Sequence, residues 1–389
     1  MNALDDAQAI RHADAELLSL ALIDARNRTL RWLAAFEARA ALTPDDGGAS
    51  PLWLAARAGA WQDRWIARNL QRQRGEACDP GAPGLAPADA AIDAWVADAR
   101  ALPAVDADTL RGWLAQTLDV TLELLAAAGG DDAALHFYRF ALLHEDRLGE
   151  ALAERAAELR ALPARPARDP LWLPAQRFEL GSAIGGAVPE NERWAHEIDV
   201  PDFEIDAQPV GWTQFVEFGE DGGYDRREFW SDAGWAWLQS GPRAEARRAP
   251  RHVEQLRGGV LALRQGRLQR VALGQPVLHA SRYEAEAWCR WAARRRLPTE
   301  AEWELAALSA GARGFVWGDV FEWVAGSARA WPGHRAGPGS LDPIPAPGTM
   351  GVLRGASWMT RLRRRHPKAR RFAPPASDTI FCGFRSCAL

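Results

Sequence analysis

Apolar residues recur at three- and four-residue intervals through the first part of the chain and lose that rhythm after residue 162. Over 15–38, Leu17, Leu18, Ala21, Ile23, Leu30, Leu33 and Phe36 follow this spacing, which predicts an amphipathic helix. Ser50-Pro51 opens a second helix, because a serine oxygen can accept from first-turn N–H groups and the fixed φ of proline suits the first helical position. That helix carries Trp53, Leu54, Trp61, Trp65 and Ile66. A third is predicted over 106–128, stopped by Gly129-Gly130, and a fourth from about 131 to 162 through Leu135, Tyr138, Leu142 and Leu148. Four long helices with turn-rich connections predict a helix bundle over residues 1–162.

The next stretch, 163–176, brings four prolines together with Arg and Asp and reads as a linker. From 177 to 389, Gly, Pro and Trp are frequent, and helical periodicity is confined to about 282–295 and 300–308. Short apolar stretches alternating with turns predict an α+β domain. The length of 389 residues agrees with two domains, since a single core stops growing at roughly 250 to 300 residues.

Composition excludes several classes. Hydrophobic residues at 48% and charged residues at 25% match a globular chain, not a disordered or collagenous one. Apolar runs are broken by charge well short of the roughly 18 to 20 residues that a bilayer span needs. The first residues carry acids before any Arg and no apolar stretch, so no secretory signal is predicted and the expected compartment is the cytoplasm. A net charge of −4 gives no global reason to bind nucleic acid or an anionic membrane, and neither is expected as a partner. Cys78, Cys289, Cys382 and Cys387 contain no CxxC pair. The 19 Trp against 3 Tyr stand out, and Trp61, Trp65, Trp194, Trp303, Trp317, Trp323 and Trp358 fall within the motifs described next, where they read as core.

The run Arg296-Leu297-Pro298-Thr299-Glu300-Ala301-Glu302-Trp303-Glu304 closely resembles the signature of the formylglycine-generating, or sulfatase-modifying, domain, a variant of the C-type-lectin fold. Other matching pieces occur in the family's order: Phe178 to Ser182, Asn191 to His196, Phe203 to Asp206, Tyr283-Glu284-Ala285, Trp317 to Trp323, Leu353 to Trp358, and Gly383-Phe384-Arg385. They read as scaffold: Thr299 and Glu302 have the spacing of a capping box. Preceded by a DinB-like four-helix bundle, the domain resembles the non-haem iron sulfoxide synthases of ergothioneine and ovothiol biosynthesis. The stretch from Trp61 to Asn69 and His144-Glu145-Asp146 look most like the selenoneine synthase branch. The resemblance implies an oxygen-dependent oxidoreductase. In that family three bundle histidines hold Fe(II), and O2 chemistry joins the sulfur or selenium of a thiol or selenol donor to the imidazole C2 of hercynine, trimethylhistidine.

Two positions depart from that pattern. The family's first ligand is a His on the second helix, where this chain has Arg57, and its last lies four residues after His144, where this chain has Leu148. Only His144 is retained. Residues i and i+4 share a helical face, which is why a His pair at that spacing can grip one ion. His136 lies about 12 Å along the helix from His144 at 1.5 Å per residue, and Glu145 points roughly 100° around it. A guanidinium at position 57 is permanently charged and is no ligand for a cation. His12 lies on another segment, outside any family motif. No Tyr follows Tyr283, whereas ergothioneine-type members place a Tyr of the second domain near the iron. Arg370-Arg371-Phe372 resembles the family's Arg-Asn-Phe segment near the active cleft, so Arg57, Arg371 and Phe372 are candidate substrate-cleft residues and His144 the candidate metal residue.

The remaining candidates read as structural. Cys382 and Cys387 are expected as small buried residues of a terminal strand, and His196 and His279 as satisfied histidines. The basic run Arg361 to Arg371 is expected as a solvated loop or the rim of an anionic-substrate site. Two functions follow: an iron-dependent C–Se or C–S bond-forming enzyme, or a non-catalytic homologue binding a hercynine-like betaine or a protein partner.

Overall fold

The computed structural model describes residues 2–42, 49–99, 101, 103–156, 162–240, 247–264 and 266–389. Six helices form the first region: α1 (Ala7–Arg11), α2 (Ala15–Glu37), α3 (Pro51–Gln62), α4 (Ala90–Trp95), α5 (Ala107–Ala126) and α6 (Asp132–Arg155). The four longest, α2, α3, α5 and α6, pack on one another as the predicted bundle. Each begins at an oxygen-bearing cap. Ser50 Oγ accepts from Trp53 N at 3.0 Å, and Asp131 accepts from Ala134 N at 2.9 Å. These caps satisfy N–H groups that have no partner within the helix. The fourth helix is described to Arg155, and the remainder of its predicted span, 157–161, lies outside the described residues. Gly59 lets α3 approach α5, because a Cβ there would run into the Trp113 ring.

Among the described residues the second region holds thirteen short strands and four α-helices. The strands are β1 (Leu171–Leu173), β2 (Gln176–Leu180), β3 (His196–Val200), β4 (Phe203–Ile205), β5 (Val253–Gln255), β6 (Val260–Arg264), β7 (Arg267–Val271), β8 (Arg295–Arg296), β9 (Phe321–Ser327), β10 (Gly351–Gly355), β11 (Arg370–Ala373), β12 (Cys382–Phe384) and β13 (Cys387–Ala388). The helices are α7 (Trp212–Glu220), α8 (Asp232–Leu238), α9 (Arg282–Trp291) and α10 (Glu300–Ser309). Two four-stranded sheets, ordered β1-β4-β13-β8 and β11-β10-β9-β12, carry the core, with β2-β3 and β5-β6-β7 beside them.

The linker and two short helices differ from the sequence-based expectation. The stretch 163–176 contains β1, which pairs antiparallel with β4, and Arg165 is tied to Asp319 at 3.0 Å. Its prolines therefore lie along the second region and do not span a gap. Helices α7 and α8 also form where no helical period was expected. They are nine and seven residues long, too short for periodicity to declare them, and their Trp212, Phe215, Phe218 and Leu238 are buried in the largest core cluster.

The family-like motifs build this core. Thr299 Oγ1 accepts from Glu302 N at 3.2 Å while Glu302 accepts from Thr299 N at 2.7 Å, which is the predicted capping box. Glu322 is fully buried, accepts from Trp303 Nε1 at 2.9 Å and from Arg385 Nη2 at 2.8 Å, and so joins three motifs distant in sequence. Cys382 and Cys387 are buried free thiols in strands. His279 donates from Nδ1 to the Asp378 carbonyl at 2.9 Å, but its buried Nε2 has no partner, so it is only half satisfied.

The basic run is neither a solvated loop nor an open rim. Asp146, Glu150 and Glu154 recur every four residues along one face of α6, and this acidic stripe meets the run directly. Arg363 donates to both oxygens of Asp146 at 2.6 and 2.8 Å, with both side chains fully buried. Arg371 grips Glu154 through two bonds of 2.8 and 2.9 Å. Glu150 accepts from Ser357 Oγ at 2.8 Å and from Thr360. Arginine clusters thus join the two regions, an outcome that charge density alone does not distinguish from a solvated run.

Candidate functional site

A cavity of about 570 Å³ opens where the bundle meets the second region. Helix α3 continues past Gln62 into a π-helical turn, Asp63–Ala67, and together they present Arg57, Trp61, Arg64 and Trp65 to the cavity. The spacing of four, seven and eight residues from Arg57 puts these side chains on one face. Such π turns inside helices frequently occur at functional sites. Helix α6 contributes His144, and the second region contributes the loop Gly337 to Ser340. Gly339 has φ +73°, and a Cβ there would lie 3.0 Å from Trp61, so only glycine allows the loop to sit against that ring.

His144 is buried at 6% exposure and stacks on Trp61, with ring centroids 5.6 Å apart and planes 29° from parallel. Its Nδ1 has no hydrogen-bond partner, and neither does the buried Ser340 Oγ. Burial first, and the charges of Arg57, Arg147 and Arg364 next, push the His144 pKa well below its ordinary value, so the ring is neutral. Arg57 stacks on Trp53 at 4.9 Å, and Arg64 on Trp65 at 5.3 Å. Neither guanidinium has a carboxylate partner among the described residues. Among the described residues the one carboxylate lining the cavity, Asp93, is held by Arg68 at 2.8 Å.

The other sequence candidates lie elsewhere. Leu148 is buried in an apolar cluster with Leu52, Trp53 and Leu152. Glu145 faces the bundle interior, where Arg26 donates to it at 2.7 and 3.1 Å and Thr29 at 2.9 Å. His136 stacks on Phe140 at 4.5 Å, and His12 packs on Gly186. Arg371 is committed to Glu154, and Phe372 packs beside the cluster of Trp303, Val324 and Val352. The structure therefore brings Arg57 and His144 into one cavity and leaves Arg371 and Phe372 outside its lining. The residues the sequence reading missed are Trp61 and Trp65 as walls, Arg64, and the Gly337 to Ser340 loop. Helical spacing from Arg57 could have found the first three, whereas the loop carries no periodic signal.

An Fe(II) held by three side chains does not fit these residues. Among the described residues no group of three or more His, Cys, Asp or Glu is placed to hold a metal. His144 is the sole imidazole in the cavity lining, and two guanidinium groups share that lining. A cation there would meet like charge and a single neutral donor.

A helical bundle joined to an α+β domain built around Glu322, Trp303 and Arg385, with a cavity at the seam, defines a two-part class, and comparison with known proteins gives its family. The family model for the sulfatase-modifying factor enzyme 1-like domain matches residues 155–319. The chain is 30% identical over 435 residues to a hercynine oxygenase of Mycobacterium tuberculosis, covering 95% of this chain and 98% of that protein. It is 30% identical over 441 residues to the hercynine oxygenase of Mycolicibacterium thermoresistibile, covering 95% and 94%. A formylglycine-generating enzyme of Streptomyces coelicolor is 33% identical over 165 residues, covering 40% of this chain and 52% of that protein. The chain belongs to the hercynine oxygenase family, the ergothioneine-type synthases with a sulfatase-modifying domain. No helix among the described residues is long and apolar enough to cross a membrane.

Proposed function

We propose that this chain is a non-catalytic member of the hercynine oxygenase family whose seam cavity binds a hercynine-like betaine without oxidising it. One observation carries the reading: the cavity lining offers a single imidazole, the neutral His144, beside the guanidinium groups of Arg57 and Arg64, with Arg57 and Leu148 standing where the resemblance implies two further ligands. Iron supplies O2 activation in the family, and here a lone imidazole is a poor anchor for it. The cavity is walled by Trp61 and Trp65 and flanked by the loop at Gly339. Loss of metal with retention of the cavity is what a binding role requires.

A thermal-shift titration with hercynine, joined to an oxygen-uptake assay with Fe(II), hercynine and either cysteine or a selenol donor, tests the proposal. The expected result is a rise in melting temperature with hercynine, since a ligand specific to the folded state stabilises it, and no oxygen uptake above the protein-free control. Hercynine-dependent uptake abolished by His144→Ala would establish the alternative, an iron-dependent C–Se or C–S bond-forming enzyme, for which the retained His144 is the supporting residue. Absence of any shift with hercynine would remove the betaine as ligand.

A further inference from the structure

The charge of the cavity is not that of a metal centre. Arg57 and Arg64 both line it without a carboxylate partner among the described residues, and Asp93 is already neutralised by Arg68. Two further polar groups wait inside: Nδ1 of the buried His144 and Oγ of Ser340, both without a hydrogen-bond partner. Buried polar atoms ordinarily have partners, so their lack of one marks a place where a ligand's own polar atoms belong. A guanidinium offers N–H donors in a fork that matches the two oxygens of a carboxylate. The aromatic surface of Trp61 and Trp65 beside it accommodates a flat, largely apolar body.

We infer that this cavity is a receptor for a small organic carboxylate with a flat ring, in which Arg57, with Arg64 beside it, binds the carboxylate and His144 and Ser340 hydrogen-bond the polar atoms of the ring. Arg57 stands where the family has a metal ligand, so the residue that removes the cation site creates the anion site. The cationic end of a betaine gains nothing from these two arginines, and recognition falls on its carboxylate. This inference rests on the reading that the cavity holds no iron.

Calorimetric titration of the full chain with imidazole-4-acetate, and with 4-methylimidazole as the same ring without the carboxylate, tests it. Charge-assisted bonds to a guanidinium predict that imidazole-4-acetate binds roughly ten- to a hundredfold more tightly than 4-methylimidazole, an advantage that shrinks as salt is raised. Arg57→Leu is expected to abolish that difference, and Arg57→Lys, which keeps the charge, to retain part of it. Equal affinity for the two probes, no binding of imidazole-4-acetate, or full retention of the preference in Arg57→Leu would each overturn the inference. Iron content of the same preparation separates the two failures. Stoichiometric iron lost on His144→Ala defeats the underlying reading, whereas iron-free protein without carboxylate preference defeats this inference alone.

Discussion

Helix α6 shows two different treatments of charge within eleven residues. At Asp146, Glu150 and Glu154 every carboxylate meets a partner from the second region, and the Asp146 and Arg363 pair is sealed from solvent. At His144 the charges that act on the ring are those of Arg57, Arg147 and Arg364, and the two arginines in the cavity lining, Arg57 and Arg64, have no carboxylate partner among the described residues. The contrast teaches that the seam pairs its charges as structure, whereas the cavity lining offers a cation one neutral imidazole beside two guanidinium groups. A buried ion pair is costly to break but is not by itself a large source of stability.

The comparison can be broken most forcefully at the clamp. Asp146→Ala leaves Arg363 buried without its main partner, and a loss of about 3 to 5 kcal/mol in unfolding free energy is expected, read from urea melts. A loss below about 1 kcal/mol would mean that the seam is not fastened there.

Acid tests both regions at once. His136 in the bundle is pushed down to about 4 by burial and by Arg193 and Arg139, and His279 in the second region to about 3 by burial, with His252 and Arg251 adding to it. A depressed histidine means the unfolded chain binds the extra proton first. Stability is complete above about pH 6.5 and falls as pH drops from there toward 4, by roughly 1.4 kcal/mol per pH unit for each histidine. His136→Phe and His279→Phe should each flatten their share of that slope in melts taken between pH 4 and 7. An unchanged slope in both variants would remove them as its cause.

A smaller effect sharpens the view of the cavity. Gly339→Ala adds a Cβ at positive φ against Trp61, with an expected cost of about 1 kcal/mol and a shift in tryptophan emission as the loop moves off the ring. Unchanged emission would mean that the loop does not lean on Trp61.

Much of this architecture was legible in the sequence, for physical reasons particular to each element. The bundle helices announced themselves by periodicity and by caps such as Ser50, and the second domain by Trp303, Glu322 and Arg385, which turn out to share one buried network. The resemblance pointed to Arg57 and Leu148 as departures because a metal site demands particular residues at particular spacing, and the structure puts Arg57 in the cavity lining and Leu148 in an apolar cluster. What escaped was tertiary. The run Arg361 to Arg371 looks solvated until Asp146, Glu150 and Glu154 are seen opposite it, and those lie more than 200 residues away. Helices α7 and α8 are too short for periodicity, and nothing local marks the loop at Gly339 as a cavity wall. Arg371 and Phe372, placed at the cleft by resemblance, belong to the seam and the sheet.

The central claim is that the cavity at His144 no longer holds a metal. Iron analysis of protein produced with added iron and purified without oxygen tests it most directly. The expected result is iron well short of stoichiometric and unchanged by His144→Ala. Stoichiometric iron that disappears in His144→Ala would contradict the claim.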